Sequence, residues 1–275
     1  MDGLTEKRPM SRMPTYYIPH GGGPCFFMNW NPPDTWQSMG DFLRGIASQL
    51  PEPPKAILVV SAHWLAPSFT VTGGDKPELI YDYYGFPAHT YALQYPALGD
   101  PTLANRVVSL LERASLPSAA SADRGFDHGL FIPLMLMFPE AVIPVVQLSL
   151  LDSLSPQSHL AAGRALQALR DEGILIVGSG MSFHNMAGYG DPRFGPISDE
   201  FDRWLTQSLE CPPTQRDTAL IEWEKAPSAR LCHPPRAEEH LLPLMVVAGA
   251  AGEDPGRRVF SDRVMETTIS AFRFG

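Results

Sequence analysis

Eight histidines stand in this chain, and three of them follow apolar runs that read as β-strands. Ile57 to Trp64 (ILVVSAHW) closes on His63 and Trp64, Tyr16 to Ile18 leads to Pro19 and His20, and Ile174 to Val177 leads through Gly178-Ser179-Gly180 to His184. A buried parallel strand is an unbroken apolar run, and ligands in open α/β sheets gather beyond the carboxyl ends of such strands. His20, His63 and His184 are therefore expected along one edge of one sheet. His128 and His240, at or near helix starts, can face the same edge. His89 can reach it from its loop, whereas His159 is not expected to. Neutral imidazoles that converge without a cysteine cluster suit Zn(II) or Fe(II), since Ca(II) and Mg(II) prefer oxygen.

Other chemistries fit less well. Neither serine of Gly178-Ser179-Gly180-Met181-Ser182 is flanked as a G-x-S-x-G nucleophile elbow requires. No HExxH helix exists, because Glu238 and Glu239 precede His240 and the nearest upstream histidine is His233. The loop Pro19-His20-Gly21-Gly22-Gly23-Pro24 lacks both the Lys-Ser/Thr of a P-loop and the spacing of a dinucleotide fingerprint. Its glycines read as backbone brought close to something held by His20. Cys25, Cys211 and Cys232 are an odd number without a CxxC pair, which suits reduced, structural thiols.

The elements that must position these residues follow from periodicity. Apolar residues at helical spacing run over Trp36 to Leu50, Leu103 to Ala114, Ser158 to Asp171, Ile197 to Leu209, Gln215 to Glu224 and Glu238 to Ala250, with a short apolar helix over Leu130 to Met137. Ile143 to Leu150 (IPVVQLSL) is a further core strand, Phe69 to Thr72 a shorter one, and Met265 to Arg273 a possible edge strand. Strands alternating with helices imply right-handed crossovers and a mostly parallel sheet covered on both faces. Gly73 to Pro101 is a long irregular stretch rich in Tyr, Pro and Gly, the kind that forms lids and pocket walls. Tyr81, Tyr83, Tyr84, Phe86 and His89 are its candidates for lining a pocket, with plain packing as the alternative. The segment from Ser118 to His128 reads as a loop.

The bulk numbers bound the partners. At 275 residues the chain is expected to form one α/β domain, over residues 14–275, behind a mobile tail at 1–13. A net charge of -9 without a Lys/Arg cluster argues against nucleic acid, and no apolar run of membrane-spanning length is present. The basic residues of the amino terminus have no apolar segment behind them, so a cytoplasmic protein, monomer or small homo-oligomer, is the expectation.

The motifs taken together resemble the class III (LigB-type) extradiol ring-cleavage dioxygenases, and within them the DOPA 4,5-dioxygenase-like branch. They are His20-Gly21-Gly22-Gly23-Pro24, Ser61-Ala62-His63-Trp64, Gly85-Phe86-Pro87, Gly125-Phe126-Asp127-His128-Gly129, Gly178-Ser179-Gly180 with His184-Asn185, and Glu239-His240-Leu241-Leu242-Pro243-Leu244, in order over residues 14 to 273. A triglycine where close bacterial relatives often carry Gly-Ser-Pro departs from the pattern at the first motif.

The resemblance implies a single α/β domain with a mixed, mostly parallel central sheet flanked by helices and a metal at one end. It makes His20, His63 and His240 metal ligands and His184 either a fourth ligand or the acid and base beside the metal. Glu239 is the one carboxylate that could replace His240 as ligand; adjacent helical residues point about 100° apart, so only one of the two can ligate. His128 would contact the substrate or bound oxygen, and His233, Tyr84 and Phe86 are further substrate-binding candidates. The activity implied is insertion of O2 into a catechol-type ring, DOPA or a related diol, to give a ring-opened semialdehyde. Fe(II) would serve activity, and Zn(II) would occupy the same ligands in a purified sample. Two alternatives stand beside it: a non-enzymatic module binding a metal or peptide on the same scaffold, and zinc-dependent hydrolysis.

Overall fold

The computed structural model describes residues 11–275. Of the tail expected over residues 1–13, the first ten lie outside the described residues. Met13 is already buried, its N–H donating to the Arg170 carbonyl (3.1 Å) and its carbonyl accepting from Arg170 Nε (2.7 Å).

The apolar runs become strands and the amphipathic stretches become helices that cover them. In chain order come β1 (Thr15–Pro19), α1 (Gln37–Gly45), β2 (Ala56–Ala66), β3 (Phe69–Thr72), β4 (Leu79–Ile80), α2 (Pro101–Arg113), β5 (Ser118–Ser121) and β6 (Phe126–Asp127). There follow α3 (His128–Met137), β7 (Val145–Leu151), α4 (Pro156–Leu166), β8 (Ile174–Gly180), α5 (Phe194–Glu210), α6 (Pro213–Ile221), α7 (Ala229–Cys232) and α8 (Leu242–Ala251). The hairpin β9 (Gly256–Val264) and β10 (Thr267–Phe274) closes the chain.

Eight strands form one sheet in the order β5-β3-β7-β2-β8-β1-β10-β9, and β4 pairs with β6 separately. The centre is parallel, β7 beside β2, β2 beside β8 and β8 beside β1, while β10 and β9 run antiparallel at one side and β3 meets β7 antiparallel at the other. Alternate residues of the central strands enter different cores, Leu58, Val60 and Ile176 on one face and Ile57, Val59 and Leu175 on the other. Each such side chain contributes roughly 1.5–3 kcal/mol by leaving water. Helices α4, α5 and α8 cover the first face, α1 and α3 the second. Among the described residues no helix is long and apolar enough to cross a membrane.

Three sequence expectations change. The last strand is not at the edge: β10 lies between β1 and β9, and β9, with arginines at positions 257, 258 and 263, takes the edge. The segment after Ser118 holds β5 and β6 instead of loop alone. The helix expected from Glu238 starts only at Leu242, which leaves His240 in the preceding turn.

One core histidine carries a prediction. His159 is buried under β7, its Nδ1–H donating to the Ser155 carbonyl (2.7 Å) and its Nε2 accepting from Leu151 N–H (3.1 Å). Burial lowers its pKa to about 4, against a backbone hydrogen bond that raises it. The folded state then binds fewer protons than the unfolded state, so this stabilisation is complete above about pH 6.5 and is lost as pH falls toward 4, to a maximum of about 3 kcal/mol. Chemical denaturation of His159→Gln should show a flatter decline over that range than the parent; equal slopes would contradict the assignment.

Candidate active site

At the carboxyl ends of β1, β2 and β8 the structure holds a cavity of about 360 Å³ whose floor includes His20, His63, His128, His184 and His240. Each is delivered by a different local device. His20 follows the last residue of β1, its N–H donating to the Gly180 carbonyl (3.2 Å). His63 lies inside β2 and not beyond it, at an irregularity where pairing with β7 lapses between Val60 and Leu65. Bulges of this kind re-aim side chains beside active sites. A buried network fixes this one: His63 N–H donates to Ser61 Oγ (3.2 Å), whose hydroxyl donates to Asp127 (2.7 Å), and Asp127 also accepts from Arg124 (3.1 Å) and from Gln147.

His240 is held through its own carbonyl, which accepts from Met181 N–H (3.1 Å) and from the Tyr17 hydroxyl (2.7 Å). A Cβ at position 180 would fall on that oxygen, so Gly180 is what lets the turn before α8 approach β8. In the triglycine loop, Gly23 has φ +55° and a Cβ there would meet the Phe86 ring at 2.9 Å, so that position needs glycine on both counts.

The hydrogen bonds assign the ring protons. Ser179 Oγ donates to the Gly129 carbonyl and can therefore only accept from His20 Nδ1 (3.0 Å), which leaves the His20 Nε2 lone pair facing the cavity. His240 Nδ1 donates to Glu239 Oε1 (3.0 Å), with the same result for its Nε2. The Nε2 atoms of His20 and His240 lie 3.1 and 3.2 Å from Nε2 of His63. Nitrogens held at about 2.1 Å by one cation, at angles between octahedral and tetrahedral, sit about 3.0–3.4 Å apart. The spacing fits a shared divalent ion. Burial, and then repulsion from neighbouring imidazoles, holds the pKa of all three far below the ordinary histidine value, so the rings are neutral and open to a cation. His240 and not Glu239 points inward; Glu239, its pKa raised by burial, holds the far side of the ring.

His128 and His184 flank this convergence. Asp82 Oδ1 accepts from both the backbone N–H (3.0 Å) and Nδ1–H (2.7 Å) of His128, whose ring centroid is 3.9 Å from that of His63. Burial opposes ionisation of Asp82, but the bonds to His128 outweigh it and keep the carboxyl below its usual pKa. His184 stacks on His240 at 3.4 Å between centroids, and its buried Nδ1 makes no hydrogen bond, with Glu239 Oε1 3.7 Å away. Burial lowers its pKa to about 4, against a backbone hydrogen bond at Ala237 that raises it. Its nitrogens group with Glu239 and His240, apart from the grouping of His20, His63 and His240.

Of the other sequence candidates, Tyr83, Tyr84 and Phe86 line the cavity. His233 does not: it is fully buried behind the site, bonded to the Ser182 carbonyl (2.9 Å) between the rings of Phe201 and Trp223. His89 bonds the Phe27 carbonyl (2.8 Å) outside the cavity, and the Tyr81 hydroxyl bonds the Leu93 carbonyl (2.6 Å). The cysteines are free, with Cys25 and Cys232 buried. Sequence reasoning missed Asp82, one acid among the tyrosines of the long loop, and the walls Trp30, Trp36, Met186 and Tyr189.

Comparison with known proteins identifies the family. The profile of the catalytic LigB subunit of aromatic ring-opening dioxygenase matches residues 14–273. Dioxygenase tasH of Hapsidospora irregularis is 40% identical over 285 aligned residues, 97% of this chain and 86% of that protein. The 4,5-DOPA dioxygenase extradiol of Beta vulgaris is 44% identical over 73% of this chain and 75% of its own length, and that of Escherichia coli K12 is 37% identical over 89% and 88%. The crystal structure of an uncharacterized protein from Escherichia coli K12 superposes with a TM-score of 0.76 at 31% identity, covering 96% of this chain and 100% of the other.

Proposed function

The chain belongs to the LigB family of aromatic ring-opening dioxygenases, and from that premise we propose that it opens an aromatic diol with O2 at a divalent iron held by His20, His63 and His240. The observation that carries the proposal is the convergence of Nε2 of His20 and of His240 on Nε2 of His63, at 3.1 and 3.2 Å. An iron(II) there would bring diol and O2 together and pass electrons from the ring to oxygen. Relatives named for 4,5-DOPA support a catechol as the ring opened.

The remaining work falls to this chain's own side chains. His128 takes the diol proton at Nε2, because its Nδ1–H is committed to Asp82, an arrangement that fixes the tautomer. His184, stacked on His240, handles the second proton from the opposite side of the floor. The acid–base role is assigned to it because it groups with Glu239 and His240 and not with His20 and His63. The aromatic walls confine the ring above the histidines. Imidazole takes Zn(II) more tightly than Fe(II), and Zn(II) has no redox chemistry, so zinc in the same nitrogens should give an inactive protein.

Metal-free protein loaded anaerobically with Fe(II), then given a catechol and O2, is expected to yield a yellow ring-opened semialdehyde carrying both atoms of isotopically labelled O2. No oxygen uptake across catechols and aminophenols with stoichiometric iron bound would overturn the proposal.

A further inference from the structure

We propose that the diol cleaved here carries an uncharged, apolar substituent that lies along the mouth of the cavity, and that diols with a carboxylate near the ring are disfavoured. The inference rests on the ring-cleaving reading and adds the substrate class to it.

Above its histidine floor the cavity is walled by Trp30, Trp36, Phe86, Met181 and Tyr189, and among the described residues no lysine or arginine lines it. Neighbouring guanidiniums are committed elsewhere. Arg124 pairs with Asp127 behind His63 and lies over the Trp64 ring, Arg230 pairs with Glu224 and Glu238, and Arg263 pairs with Asp199. Arg236, exposed on the turn before His240, is not part of the lining. Polar edges of the wall are spent on main chain: Trp30 Nε1 donates to the Cys25 carbonyl (2.8 Å), the Tyr83 hydroxyl to Thr90 (2.6 Å) and the Tyr189 hydroxyl to Phe183 (2.9 Å). Trp36 Nε1 has no partner, but it is one neutral donor.

A carboxylate on a short side chain would leave water beside these rings without a counter-charge, which is strongly unfavourable. An alkyl or aryl group would instead meet surface of its own kind. The mouth reinforces this. Tyr84, Met186 and Met265 reach it while 90%, 73% and 38% exposed, a set of large apolar groups left in water on the lining of the same cavity. Exposed apolar patches of this sort mark binding surface, and a substituent long enough to lie across them would bury both itself and them.

The test compares 4-butylcatechol with 3-(3,4-dihydroxyphenyl)propionate on the iron-loaded protein. Their side chains are of similar length and differ in charge. kcat/KM should favour the butyl compound by at least about 100-fold. Anaerobic quenching of tryptophan fluorescence, with Trp30 and Trp36 in the wall, should occur at correspondingly lower concentration of it. Met186→Arg, at an exposed position, should narrow the ratio at least about tenfold by supplying the missing cation. Cleavage of both compounds with equal or inverted preference would overturn the inference and leave ring opening intact. An unchanged ratio in Met186→Arg would overturn the placement of the substituent at the mouth. Cleavage of neither would overturn the diol reading and this inference with it.

Discussion

His63→Ala is expected to abolish metal binding and to lower ring-opening turnover by at least about a thousandfold, since loss of the ion removes several kcal/mol of charge stabilisation and about 1.4 kcal/mol is worth a factor of ten. His63 is the hub of the site, the one ring whose Nε2 lies at 3.1 Å from one neighbouring Nε2 and 3.2 Å from another. Its removal leaves His20 and His240 as an incomplete pair. The same variant should be at least as stable as the parent when both are metal-free, because it relieves the crowding of three rings and its side chain is only partly buried. With metal present, the order should reverse, because only the parent gains stability from the ion. Thermal unfolding with and without Fe(II) or Zn(II), beside metal analysis, reads both effects. Stoichiometric metal in His63→Ala would show that the ion sits elsewhere.

His128→Asn is expected to behave differently, with metal stoichiometry retained and kcat down about 100- to 10,000-fold, the range that a positioned general base contributes. The distinction follows from geometry. The His128 ring packs against His63 at 3.9 Å between centroids, but its Nδ1–H is turned to Asp82, and it groups with His63 and Asp82 and not with His20 and His240. Asp82→Asn should reproduce part of the loss, about 10- to 100-fold, by loosening the ring while leaving the base in place. Metal analysis and anaerobic binding of a catechol separate these variants from His63→Ala. Loss of metal from His128→Asn, or undiminished kcat in it, would contradict the role assigned to it.

Much of this was legible from residue order because the physics involved is local or nearly so. Buried parallel strands such as β2, β7 and β8 must be apolar on both faces, so they stand out as runs, and the rule that ligands gather at their carboxyl ends placed His20, His63 and His184 on one edge before any coordinates. β9 escaped notice because an edge strand need not be apolar, and its arginines and aspartate alternate with little contrast. That omission put β10 at the margin when it is interior.

His233 shows the limit at the site itself. It follows Cys232, whose carbonyl accepts from His184 N–H (3.0 Å), yet its own side chain turns into the core against Phe201 and Trp223. Nothing in the order of residues separates a histidine facing the cavity from one facing away a few residues later. Asp82 was hidden for the complementary reason. Its loop has no periodicity, and its place beside His128 arises only when β4 pairs with β6 and brings positions 80 and 127 together. The start of α8 moved for a tertiary reason as well: bonds from Met181 and Tyr17 to the His240 carbonyl hold that residue outside the helix.

The central claim is that three imidazoles from distant parts of the chain share one divalent ion through Nε2, and X-ray absorption at the metal edge of protein loaded with one equivalent of Fe(II) or Zn(II) tests it most directly. Three imidazole nitrogens at about 2.0–2.2 Å, falling to fewer in His20→Ala and His240→Ala, are the predicted result. A shell of oxygens, or a spectrum that neither substitution alters, would contradict it.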